Sequence, residues 1–151
     1  MKTKRRQARE LALQMLYQVD LNTDIKEADV RQMIRERLTD RDLERFCFLL
    51  FSGVAHHLKE LDTKISTTAE RWKLGRIAPT DRATLRLGLY EMLYTDTPPA
   101  VVINEALELA KRFGNAKSPA FINGILDRLN PQKASPMMSN GVPSTAEGEE
   151  K

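Results

Sequence analysis

Apolar side chains recur along this chain every three or four residues, the spacing of helix faces, and no β-hairpin signal appears. Ala8, Leu11, Ala12, Met15, Leu16 and Val19 form one stripe at 100° per residue, predicting a first helix from about Arg5 to Asp20. Arg6, Arg9, Leu13 and Tyr17 fall on its other side, so this helix is expected to show arginines beside an aromatic ring to the outside, the alternative being that another helix covers Leu13 and Tyr17. Asp24 and Glu27 make a capping pair for a second helix, about 26–38, with Val30, Met33, Ile34 and Leu38 inward. Thr39 and Asp42 open a third, to about His57. Its run of Leu43, Phe46, Cys47, Phe48, Leu49, Leu50, Phe51 and Val54 covers most of the circumference and predicts the central, most buried helix.

A fourth helix, about 59–71, carries Leu58, Leu61, Ile65, Ala69 and Trp72 at helical spacing, with Trp72 as a packing anchor. Thr80 reads as the N-cap of a fifth, through about Tyr94, with Asp81 favourably placed in the first turn and Gly88 marking a close helix crossing. A stiff turn, Asp96 to Pro99, leads into a sixth from about Ala100 to Phe113, which Gly114 closes. Ser118 and Pro119 read as cap and first-turn proline of the last helix, which Asn130 and Pro131 end. Lys73 to Pro79, with Gly75, is the candidate internal boundary. Beyond Pro131 there is no periodicity, and a disordered tail is expected. The predicted fold is all-α: about seven helices in two small packed bundles, 1–75 and 76–130, followed by the tail 131–151.

The chain has 151 residues, and setting the tail aside leaves about 130 to bury a core. A single cysteine rules out an intrachain disulfide framework and fits a reducing compartment. No stretch supplies the roughly 18 consecutive apolar residues of a membrane helix. Glu10 and Gln14 interrupt the place where a signal peptide would be apolar, so a cytoplasmic protein is expected. The net charge of +3 is unevenly spread: residues 1–9 carry +5 and the tail from Pro131 carries −1, leaving the body at −1. Attraction for phosphate is therefore concentrated at one end, which suits a local contact better than wrapping of a duplex. The bland reading of the basic start is a solvated terminus.

No catalytic constellation stands out, and neither an enzyme activity nor a cofactor is expected. Cys47 lies in an apolar run without a nearby base and reads as core. His56 and His57 lack the further ligands a metal site needs. Asn104 and Glu105 read as hydrogen-bonding partners of the preceding turn or of a neighbouring helix, and Gly124, beside Asn123, as a point of close packing.

Arg5-Arg6-Gln7-Ala8-Arg9-Glu10, followed by Leu13, Leu16 and Tyr17, resembles the opening of the bacterial NusB family of transcription antitermination factors. Asp81-Arg82-Ala83, Leu89-Tyr90-Glu91, Ile103-Asn104-Glu105-Ala106, Phe113-Gly114 and the block from Phe121 to Asp127 extend the resemblance over residues 5–130. It implies an all-helical fold of two bundles. It also implies a factor that binds boxA RNA together with the ribosomal small-subunit protein NusE, joins other Nus factors on RNA polymerase, and supports transcription of ribosomal RNA operons. The family's arginine-rich motif falls on Lys2, Lys4, Arg5, Arg6 and Arg9, and its RNA-facing rings on Tyr17 and Phe121. Lys117 and Ser118 would share Phe121's surface. Periodicity alone places Phe121 in the core. Many family members have an acidic residue where this chain has Lys117, and a lysine there removes a repulsion from phosphate. The NusE contact is expected at Asp81, with Glu91 second.

Two other readings belong to different classes. This fold also occurs as the amino-terminal domain of certain ribosomal RNA cytosine methyltransferases, whose catalytic domain has no counterpart here. A plain helical scaffold would use the basic arm only as a solubilising end. Some family members are dimers, and a homodimer would bury Tyr17 and the arginine side of the first helix.

Overall fold

Seven helices and no strand form among residues 3–69 and 74–133, which the computed structural model describes. They are α1 (Lys4–Leu21), α2 (Glu27–Arg37), α3 (Arg41–His56), α4 (Leu58–Ala69), α5 (Pro79–Tyr94), α6 (Pro99–Phe113) and α7 (Ser118–Leu129). A single 3-10 turn, Leu74–Arg76, lies at the expected boundary. Lys2, Trp72 and the tail from Ala134 lie outside the described residues, and with them the readings of an anchoring tryptophan and a disordered end.

The caps sit close to their expected positions but use different residues. Asp40 rather than Thr39 opens α3, its carboxylate accepting from the amides of Asp42 and Leu43 at 2.9 and 3.2 Å. Lys26 precedes α2, with Asp29 accepting from its amide at 2.9 Å, so Asp24 and Glu27 are not the pair that caps it. Ala78 replaces Thr80 before α5, because Pro79 already has the dihedral of a first helical residue and no amide to satisfy. Lys117 replaces Ser118 before α7, and the Ser118 hydroxyl turns back to accept from the Asn115 amide at 3.0 Å.

The central helix is α5, not α3. Every residue from Ala83 to Met92 is buried, and α5 touches α1, α3, α4, α6 and α7. Only Cys47, Leu50, Phe51 and Val54 of α3 are buried, a single stripe, and Leu49 is 49% exposed. The surplus aromatic surface of α3 is covered by cations instead of a helix. The Arg5 guanidinium lies 4.1 Å from the centre of the Phe46 ring, and Arg31 4.1 Å from that of Phe48. Cys47 is fully buried, and burial pushes its thiol up to about 12, which leaves it inert packing.

Close approach shapes the crossings of α5 with α3, α6 and α7. Gly88 meets α6 and α7 as expected, where a Cβ would stand 3.0 Å from Leu126 Cδ1. At Gly53 of α3 a Cβ would overlap the Tyr90 ring. Gly53→Ala must therefore push Tyr90 out of its stack with Tyr94 and His57, whose ring centres lie 5.2 and 5.6 Å away. Such overpacking should cost about 1–3 kcal/mol, read from urea denaturation. Gly124 makes no such contact. A Cβ there would project into open space, so the expected packing role is absent.

A polar network ties α1 and α4 to α5. Arg82 donates to Asp20 at 3.0 and 2.6 Å and to the carbonyls of Leu74 and Ile77 at 3.3 and 3.0 Å. Arg86 forks onto Asp62 at 2.8 and 2.9 Å and reaches Asp20 at 3.4 Å. One helix thus holds the C-terminal end of α1, the face of α4 and the turn joining α4 to α5.

Candidate nucleic-acid interface

The basic start of α1 divides by direction. Thr3 caps the helix, its hydroxyl accepting from the Arg6 amide at 3.0 Å, so Lys4 to Arg9 are helical and their side chains point to fixed sides. Lys4 is exposed, with no ion pair among the described residues. Arg5 is exposed, with its guanidinium over the Phe46 ring.

Arg6 and Arg9 turn inward. Arg6 forks onto Glu105 of α6 at 3.0 and 2.9 Å, with Glu108 at 3.9 Å. The hydrogen bond from Arg6 holds the Glu105 carboxyl below the ordinary carboxylate range and raises the guanidinium above its own. Arg9 forks onto Glu91 of α5 at 2.9 and 2.5 Å, with side chains only 6% and 2% exposed, and Glu105 stands 3.8 Å from Arg9. The expectation that Arg9 and Leu13 project outward is corrected: both are buried, because α1 packs against α3 and α5 together and its inner face is wider than one apolar stripe. Glu91, expected at a partner surface, is instead the buried counter-ion of Arg9.

Further along α1 the chain opens to solvent. Tyr17 is 36% exposed and walls a groove of about 410 Å³ together with Leu13, Gln14, Gln18, Arg37, Thr80 and Phe113. Arg112 lies 5.3 Å from the centre of the Phe113 ring and 3.7 Å from Glu10.

A second concavity, of about 310 Å³, lies across the first turn of α5. Phe121, half-buried, shares it with Asp81, Lys117 and Ser118, and with Arg76, Ile77, Ala78 and Asn115. Both the core and the surface reading of Phe121 hold in part, since its ring packs on the core and also walls the cleft. The Gly114–Ser118 turn is knitted from within: the Asn115 side chain accepts from the Lys117 amide at 2.8 Å, and a Cβ at Gly114 would overlap the Ser118 hydroxyl. Ser118 is 1% exposed and shapes the cleft. Lys117 is exposed at its mouth.

The structure therefore brings Asp81, Lys117, Ser118 and Phe121 into one cleft, with Tyr17 in the groove beside it, and sends Arg6, Arg9 and Glu91 elsewhere. Sequence reasoning missed Phe46 beneath Arg5, Phe113 beside Tyr17 and Arg76 at the cleft edge. The two rings looked like core by periodicity, and Arg76 sits in a segment with none.

A sequence model of the NusB family matches residues 6–131. The chain is similar to transcription antitermination protein NusB of Wolinella succinogenes, 43% identical over 128 residues, 84% of this chain and 94% of that protein. To the protein of the same name from Bacillus subtilis it is 46% identical over 83% of this chain and 94% of that one. Among solved structures, NusB from T. maritima superposes with a TM-score of 0.77 at 36% identity, covering 88% of this chain and 97% of that one. The fold is also that of a structure of antitermination factors NusB and NusE in complex with double-stranded RNA, with a TM-score of 0.76 at 24% identity, covering 86% and 98%.

Proposed function

Because this chain belongs to the NusB family, we propose that it is a transcription antitermination factor without enzymatic activity, one that binds single-stranded boxA RNA jointly with NusE. The observation that carries this reading is the surface of α1 and its neighbours: an outward Lys4 and Arg5, then two adjoining concavities walled by Tyr17 and Phe121. Ammonium and guanidinium groups attract phosphates, and rings stack on bases that a single strand leaves free. Lys2 continues the basic start in the sequence, and Lys117 supplies a cation at the cleft mouth. Arg6 and Arg9 act here as struts that fix α1 on α5 and α6.

These few cations give modest affinity alone, so NusE supplies a second surface, and the joint complex recruits other Nus factors and RNA polymerase. A homodimer covering Tyr17 would close the groove, which makes the monomer the RNA-binding form. No helix among the described residues is long and apolar enough to cross a membrane. Action on nascent transcripts places the protein in the cytoplasm.

Titration of boxA RNA and a scrambled RNA of equal length, with and without NusE, at about 0.15 M salt tests this reading. Preference for boxA that strengthens with NusE is expected. Equal, weak binding of both RNAs under all conditions would leave a helical scaffold with a basic end.

A further inference from the structure

Asp81 is the one feature of the Phe121 cleft that attraction for phosphate does not explain. It is 8% exposed, it lines the cleft, and its carboxylate has no hydrogen bond or ion pair among the described residues. Buried polar groups are nearly always paired, and an unpaired carboxylate taken from water is costly. Arg76 and Lys117 border the same cleft, yet neither comes within ion-pair distance of it. Asp81 stands in the first turn of α5, and a carboxylate there offers acceptor oxygens to whatever enters the cleft.

The partner it lacks is an N–H donor. The flat Phe121 ring asks for a planar group, and Arg76 and Lys117 at the rim ask for an anion attached to that group. About 310 Å³ is at the lower end of small-molecule sites and holds one such group, not a duplex. We propose that Asp81 reads one unpaired nucleobase in this cleft by accepting a hydrogen bond from its exocyclic amine, while the base stacks on Phe121 and its phosphates lie toward Arg76 and Lys117. Cytosine satisfies this geometry through its N4 amine. Uracil, of the same size, presents a carbonyl oxygen at that place and is repelled. The inference rests on the RNA-binding reading and assigns Asp81 to base selection, not to the NusE contact its sequence position suggests.

The test is a fluorescence titration of the full chain with oligocytidine, oligouridine and oligo-N4,N4-dimethylcytidine of equal length at one salt concentration. The phosphate contribution is then common to all three. Oligocytidine is expected to bind at least about fivefold more tightly than either of the others, since both lack the amine donor. In Asp81→Asn, whose amide can also donate, the cytidine-to-uridine ratio should fall to about one or invert, with thermal unfolding confirming the fold. Equal binding of cytidine and its dimethyl form by the parent chain overturns the proposal without any variant. An unchanged ratio in Asp81→Asn with weakened NusE binding also overturns it and makes Asp81 a protein contact. Binding of none of the three, and of no boxA RNA, removes the RNA-binding reading itself.

Discussion

Glu91→Ala is expected to destabilise the protein by about 3–5 kcal/mol, the cost of leaving the Arg9 guanidinium buried without its counter-ion. Arg9 gives both forked hydrogen bonds to Glu91, and Glu105, at 3.8 Å, is already held by Arg6. Relaxation of the cavity does not help, because α1, α5 and α6 close over the pair. Replacing both partners, Arg9→Met with Glu91→Leu, removes the charges and their desolvation together and should recover most of the loss. Urea denaturation of the parent, the single and the double variant measures the three values. A Glu91 that acted at a partner surface would behave otherwise, with unchanged stability and weaker NusE binding.

Arg82→Ala should cost about 2–3 kcal/mol. It deletes two hydrogen bonds to a carboxylate and two to carbonyls of the α4–α5 connection, each of modest net worth but together left without donors. Arg86 still reaches Asp20, which limits the loss. The damage should be local as well as global: amide exchange around Ile77, whose amide bonds to the Leu74 carbonyl, should rise more than in α6 or α7. Arg82→Lys should recover only part of the stability, since an ammonium cannot span the fork to Asp20 and both carbonyls.

The helices were legible because each carries a stripe, a breaker or a cap in its own sequence. The rank order of burial was not. Asp81, Arg82, Arg86 and Glu91 make α5 look like a half-exposed helix, and α3 with its aromatic run look central. Arg82, Arg86 and Glu91 are covered because each meets an opposite charge far away along the chain: Arg86 with Asp62 at 24 residues, Arg82 with Asp20 at 62, Glu91 with Arg9 at 82. No local pattern encodes such pairs. The same holds for the surface. Residue type marked Lys4, Arg5 and Tyr17, and the family resemblance added Lys117 and Phe121, but only packing separates Lys4 and Arg5 from Arg6 and Arg9, which share their chemistry. Asp81 looked like helix-dipole support, and its lack of a partner is visible only once Phe121 and Lys117 stand around it.

The division of the basic arm is the central claim, and the salt dependence of boxA affinity tests it most directly. Log affinity for a single strand falls with log salt by about 0.7 for each phosphate contact. Replacing Lys4 and Arg5 with alanine should flatten the slope by about 1.4 while changing stability by no more than about 1 kcal/mol, the worth of the Arg5–Phe46 stack. A slope left unchanged by that double replacement would contradict the claim and return Lys4 and Arg5 to the role of a solvated helix end.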